Sequence, residues 1–283
     1  MAVEPIQTHG PGTAGGIARN AIENGADLIL VAGGDGTINE VANGMVRSEV
    51  PLGVLPAGTA NVLANELKLG KTMERAAESL AHSTKERVAL GLLTNGGSRH
   101  FLLMTGVGLD AEIVYSLHLP MKEALGKVAY WIGGFSKLGR RFQEFSVLAN
   151  GREFRASFAL ASRVRNYGGD LEIAPSISLL DDEFELVLFE GESSFRYLKY
   201  MLGVMAHRLR DLPGVTILRA RQVTFSANPE ARIHLQVDGE YTGVAPAGVE
   251  IVPNALTLLV PPDFRARRPA TVEDAQWTTS PIR

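Results

Sequence analysis

The chain has 283 residues and a formal net charge of −3, enough for one large domain or two ordinary ones and without the strongly basic balance of a dedicated nucleic-acid binder. Its 45% apolar and 21% charged residues are a globular composition rather than that of a disordered chain. There is no cysteine, which excludes disulfides, thiolate metal sites and thiol nucleophiles and fits a cytoplasmic protein. No apolar run approaches the roughly 18 residues a spanning helix needs, and Met1 to Gly12 lacks the pattern of a signal peptide, so any membrane contact is expected to be peripheral.

Ala14 to Asn24 reads as a helix, with Gly25 placed to end it. Leu28 to Val31 is a compact apolar run, as expected for a strand buried on both faces. Glycines follow at 33, 34 and 36. A helix then begins near Thr37, with Ile38, Val41, Ala42 and Met45 at i, i+3, i+4, i+7 spacing. The pattern repeats: strand Leu52 to Leu55, loop Pro56 to Thr59, helix Ala60 to Leu67. Strand, loop and helix taken twice imply right-handed crossovers and a parallel sheet. From about Val88 short alternating runs dominate: Phe101 to Met104, Phe145 to Leu148, Phe154 to Ala161, Phe184 to Phe189, Gln222 to Ser226, His234 to Val237 and Ala255 to Val260. They predict antiparallel pairing, interrupted by helices over about Met121 to Arg141 and Ser194 to Arg210. The expected division is an α/β domain over 1–88, a β-rich domain over 89–264 and a disordered tail over 265–283.

The first loop carries the chemistry. A strand delivers the chain to a turn at Gly33, Gly34, Asp35, Gly36 and Thr37, where glycines leave room for a phosphate against the backbone. The helix that follows aims its free N–H groups at the same place, and Thr37 is placed to cap it or bind a phosphate oxygen. Asp35 beside an anion makes sense if it binds a metal ion, a water or a sugar hydroxyl. Gly58, Thr59 and Asn61 form a second loop of the same kind. Neighbouring parallel strands would bring both loops to their carboxyl ends, where open α/β sheets bind ligands. No Walker-type phosphate loop is present.

Gly33 to Val41 resembles the nucleotide-binding signature of diacylglycerol kinase-like lipid kinases. Leu55 to Asn61, Gly106 to Ala111 and Asp238-Gly239-Glu240 are similar to three further motifs of that family. The bare GGDGT core is shared with NAD kinases and phosphofructokinases; the later motifs single out the lipid kinases. The resemblance implies an NAD kinase/phosphofructokinase-like α/β nucleotide-binding domain with a parallel sheet, followed by a β-sandwich-like domain. It implies ATP contacts at Thr8, Gly33 to Thr37, Asn39, Glu40, Gly58, Thr59 and Asn61. Asp238 and Glu240 become the catalytic segment, one of them the base that deprotonates a lipid hydroxyl. It also implies a magnesium site in which Asp181 gives a carboxylate and Ser178 and Glu183 give carbonyls. Diacylglycerol is the default acceptor, met at a membrane surface.

The sequence departs from the family in several places. Val62 and Ala89 stand where acidic residues are usual, and Asp182 stands where the magnesium loop has glycine. The family's first strand and its Asn-Pro-x-x-Gly loop, upstream of the Thr8 position, have no match. These departures keep two other readings open: an NAD kinase-like phosphotransferase, or a non-catalytic binder of lipid or nucleotide. The two later helices interleave Lys and Arg with aromatics, a pattern that suits either an anionic lipid surface or a packed helix with a solvated cationic face.

Overall fold

The computed structural model describes residues 2–109, 111, 141–168, 171–228 and 230–265. Asp110, most of the expected helix Met121 to Arg141, and the tail from 266 lie outside the described residues. The amino-terminal part contains α1 (Ala14–Glu23), β1 (Ile29–Gly33), α2 (Asp35–Gly44), β2 (Leu52–Pro56), α3 (Val62–Glu66) and α4 (Met73–Ala81). β1 and β2 pair in parallel, Ile29 opposite Leu52 through Gly33 opposite Pro56, so both following loops leave from the same end of the sheet. On α2 the expected stripe of Ile38, Val41 and Ala42 is buried. α3 is shorter than the pattern suggested, and Gly70 beyond it has φ +97°, a conformation glycine adopts without steric cost. α4 was not legible, because only Ala76 and Leu80 of its nine residues are buried.

β1 differs from expectation. It is the edge strand of its sheet among the described residues, and Leu30 and Ala32 are exposed. An apolar run does not distinguish a strand buried on both faces from an edge strand that is covered on one.

The rest is β-rich. Strands β3 (Thr84–Thr94), β4 (Ser98–Phe101), β5 (Met104–Gly108), β6 (Phe145–Ala149), β7 (Arg152–Ala156) and β8 (Phe158–Ser162) come first. The short β9 (Asn166–Tyr167) and β10 (Leu171–Glu172) follow, then β11 (Phe184–Phe189) and α5 (Ser194–Met205). After a turn of 3-10 helix come β12 (Val215–Ala220), β13 (Gln222–Ser226), β14 (His234–Val237), β15 (Glu240–Val244), β16 (Ala247–Val260) and α6 (Pro262–Arg265). One sheet runs β1-β2-β16-β13-β6-β7, with β3 on β16 and β4 on β3; a second runs β12-β11-β8-β5-β14-β15. A mixed sheet with parallel strands and a facing antiparallel sheet is the architecture the resemblance implied.

β16 is longer than the expected Ala255 to Val260. It pairs in parallel with β2 at Leu258 and antiparallel with β3 and β13, so this one strand joins the parallel end of the sheet to its antiparallel end. Between the sheets, Phe101 of β4 stacks on Phe184 of β11 at 5.7 Å. β11 is buried along its whole length. Phe184, Leu186 and Leu188 enter the core between the sheets, while Val187 and Phe189 enter the core shared with the α/β part. Each such side chain contributes roughly 1.5–3 kcal/mol by leaving water.

Candidate active site

The two glycine loops touch. Ala57 N–H donates to Gly33 O at 3.1 Å, and a Cβ built on Gly58 would come within 2.5 Å of Gly34 Cα. Any side chain at Gly58 would separate the loops, so glycine is required by close approach. Asp35 fastens them. Its Oδ2 accepts from Val62 N–H at 3.0 Å and its Oδ1 from Leu63 N–H at 3.2 Å, so the first loop caps the helix that follows the second. Burial holds the Asp35 carboxyl above its ordinary range, against the opposing effect of those two N–H donors. Asn61 has φ +46° and bonds Gly58 in both directions, accepting from its N–H and donating to its carbonyl, each at 2.8 Å. Glu40 accepts from Gly12 and Ala14 N–H at 2.7 and 3.1 Å, which ties α2 to the start of α1.

The second sheet reaches the same place. Asp238 and Gly239 are the turn between β14 and β15, with φ of +47° and +81°, the geometry of a tight primed hairpin. The Asp238 carboxylate is fully engaged by backbone: Leu102 N–H at 3.0 Å on Oδ2, and Leu103 and Met104 N–H at 3.1 and 2.9 Å on Oδ1. Those donors exist because the chain breaks at Leu102 and Leu103 to pass from one sheet to the other, where the apolar run predicted one continuous strand. Burial pushes the Asp238 carboxyl up to about 7; the three N–H groups oppose this and the Asp35 charge adds to it. Glu240, two residues on, leaves the turn half-exposed. Its Oε1 lies 2.8 Å from where a Cβ on Gly36 would stand, and its Oε2 lies 2.5 Å from Arg99 Nη2 on β4. The hairpin of one sheet thus rests its carboxylate on the first glycine loop of the other.

The similarity to known proteins follows the same two-part plan. Residues 1–93 match the diacylglycerol kinase catalytic domain, and residues 104–260, more than half of the chain, match the YegS C-terminal NAD kinase beta sandwich-like domain. The chain belongs to the diacylglycerol kinase-like family. A diacylglycerol kinase of Bacillus subtilis (strain 168) is 30% identical over 244 residues, covering 83% of this chain and 79% of the relative. One from Mycobacterium tuberculosis (strain CDC 1551 / Oshkosh) is 28% identical over 248 residues, 85% and 79% of the two chains. The crystal structure of a diacylglycerol kinase from Bacillus anthracis str. Sterne shares the fold at a TM-score of 0.69 and 21% identity, covering 91% of this chain and 85% of that one. By family, this protein is a lipid kinase.

In this kinase the other expected site residues fall differently. Thr37 packs against Gly33 at the first turn of α2, and Thr59 is exposed at the second loop. Thr8 lies in exposed chain ahead of α1, and its hydroxyl makes no hydrogen bond among the described residues. Asn39 is fully buried, accepting from Asn43 Nδ2 at 3.1 Å, and its own Nδ2 has no partner among the described residues. The expected magnesium loop is held by arginines. Asp181 Oδ2 pairs with Arg219 Nη1 at 3.0 Å, and Arg219 Nη2 also donates to Ser176 O. The buried Arg163 donates to Leu179 O and Asp181 O, at 2.8 and 3.2 Å, and Arg165 Nε to Ile177 O. Ser178 O accepts from Asp181 N–H, and Glu183 sits between Arg219 and Arg221. Among the described residues no three His, Asp or Glu side chains gather as a metal cluster. Guanidinium groups already hold its carboxylates and the carbonyls of Ser176, Ile177, Leu179 and Asp181, so a divalent cation at Asp181 would have to compete with Arg219. The expected donors Ser178 O and Glu183 O are not among the carbonyls so held.

Sequence reasoning missed Arg99 and its anchor. Asn43 on α2 donates to His100 O at 2.9 Å and accepts from His100 N–H at 3.1 Å, which fixes β4 against α2 and Arg99 beside the loop. The available signal was charge: neither glycine loop contains a lysine or arginine.

Proposed function

We infer that this lipid kinase transfers the γ-phosphate of ATP to a lipid hydroxyl, with diacylglycerol the acceptor to test first and the bilayer surface its source. The observation that carries the reading is Glu240 lying on Gly36. The loops bounded by Gly33 to Thr37 and Gly58 to Asn61 offer backbone N–H groups and the amino end of α2 to the phosphates. The α/β part, through residue 88, binds the nucleotide; the β-rich part supplies the carboxylate that meets the acceptor.

Of the two candidate carboxylates, Glu240 is the base. It is part-exposed, reaches the phosphate loop and keeps acceptor capacity. Asp238 has both oxygens on backbone N–H groups, so it positions the hairpin and the Leu102–Leu103 crossing. Magnesium carried in with the nucleotide would neutralise phosphate charge, and Asp35 and Thr37 would be the side-chain oxygens to hold it. Asp35 spends two of its roughly four lone-pair positions on α3, which leaves acceptors for that purpose. Transfer from radiolabelled ATP to a panel of diacylglycerol, ceramide, sphingosine and phosphatidylinositol in mixed micelles tests the reading. Phosphorylated diacylglycerol made by the wild type and not by E240Q supports it. Phosphorylation of a soluble dinucleotide but of no lipid sinks it.

A further inference from the structure

The nucleotide cleft has a charge deficit. Residues 33–40 and 56–61 contain no lysine or arginine, and they bring two carboxylates, Asp35 and Glu40. A helix amino end supplies only about half an elementary charge, against the several negative charges of a triphosphate. Among the described residues the cation seen at this place is Arg99, and it is already engaged: its Nη2 lies 2.5 Å from Glu240 Oε2. That same carboxylate touches the space above Gly36 through Oε1. Among the described residues the guanidinium has no other hydrogen-bond acceptor, so most of its five donors are free. Its strand is held on both sides, by Leu93 of β3 opposite Arg99 and by Asn43 on the neighbouring His100. With both side chains about a third or more exposed, the ion pair is of the weak, water-screened kind. A terminal phosphate offers the same planar fork more charge and more oxygens.

We propose that Arg99 is a phosphate-responsive latch on Glu240: the ion pair holds the carboxylate over Gly36, and the terminal phosphate of the nucleotide draws the guanidinium away and frees Glu240. This rests on the reading of Glu240 as the base. In the transfer step the acceptor oxygen forms its bond to the γ-phosphorus as the bond from that phosphorus to the β–γ bridging oxygen breaks. The electron pair leaves with the diphosphate, the hydroxyl proton passes to Glu240, and Arg99 stays on the oxygens of the transferred phosphoryl group. The carboxylate is therefore released only when the phosphoryl donor is in place. Arg99 contacts the reacting group and positions the base in turn.

Calorimetric titration of a non-hydrolysable ATP analogue, and of AMP as a control, into the full-length wild type, E240Q, R99M and R99M/E240Q tests the exchange. Losing a charge-assisted contact to phosphate in R99M should weaken analogue binding about 10- to 100-fold, and R99K should recover part of it. E240Q should bind the analogue several-fold more tightly than wild type, because no ion pair has to break. That gain should be larger in the wild-type background than in the R99M background, where only like-charge repulsion is relieved. AMP affinity should be the same in all four proteins. A gain that is equal or larger in the R99M background, or unchanged analogue affinity in R99M, overturns the latch. Lipid turnover plays no part in this titration. A wild type that shows the binding pattern yet phosphorylates no lipid would refute Glu240 as a lipid-directed base while leaving the Arg99 exchange standing.

Discussion

Two regions of this kinase are rich in carboxylates and use them in opposite ways. At the cleft, Asp35, Glu40 and Asp238 are satisfied by backbone N–H groups, and among the described residues a single arginine approaches, on Glu240. At the loop of residues 175–183, Asp181 and Glu183 are satisfied by arginine side chains, and Arg163, Arg165 and Arg219 take the carbonyls as well. Backbone donors carry no net charge, so a carboxylate they hold keeps its electrostatic attraction for a cation. A guanidinium cancels the charge outright. The first region keeps its attraction for a cation; in the second the arginines already neutralise the carboxylates.

The largest expected break is at Glu240. If it is the base, E240Q should lower kcat by roughly 10²- to 10⁴-fold while nucleotide still binds. Steady-state kinetics with titration calorimetry on the same preparation would show it. Full turnover in E240Q would reduce the hairpin to a turn. Asp35 comes next. D35N offers one carbonyl oxygen to two N–H groups, so the loops should come apart and phosphotransfer should fall to background. The fold should survive at a cost of about 1 kcal/mol, the usual worth of a helix cap, read by denaturant unfolding. Near-normal turnover in the folded variant would take this loop out of the active site.

The same contrast explains what was legible beforehand. The strand-glycine-helix turns showed because a short apolar run, glycine and helical spacing follow one another directly along the chain, from Leu28 to Met45 in the first case. The break at Leu102 and Leu103 did not, because Phe101 to Met104 is apolar throughout and its partner, Asp238, lies more than 130 residues away. Arg99 was invisible for the same reason: its partner across the cleft comes from a late hairpin. At the expected magnesium loop the motif gave a carboxylate's position and not the arginine that β12 brings to it.

Asp238 sharpens the comparison through pH. Its carboxyl is held near 7 in the folded protein, against 3.8 for the unperturbed group. Between those values the folded state binds the extra proton, so this group's contribution to stability falls as pH rises from about 4 to about 7 and is level outside that window. An amide cannot titrate. D238N should therefore lose less stability than wild type between pH 5 and pH 8, whatever its absolute stability. Urea midpoints for both proteins at the two pH values would show this, and an identical change in both would mean that Asp238 ionises normally.

The smallest expected effect is at the arginine-held loop, where the prediction for the wild type is no change. A loop that depends on a bound dication would melt earlier in EDTA and later in excess magnesium, because a ligand that binds only the folded state stabilises it by mass action. Here Arg219 already neutralises Asp181 at 3.0 Å, and a dication would have to displace it and bear its repulsion. The melting temperature without nucleotide should be the same in EDTA and in millimolar magnesium. R219M should lower stability by about 1–3 kcal/mol, the cost of leaving a buried or half-buried polar partner unpaired, and D181N should cost a similar amount. Because Arg219 and Asp181 are one pair, the double variant should cost less than the two singles added together. Magnesium should recover part of the loss in R219M, where the carboxylate stands open, and none of it in D181N. A magnesium-dependent rise in the wild type that D181N abolishes would show that the loop binds the metal after all, and that the guanidinium gives way to it.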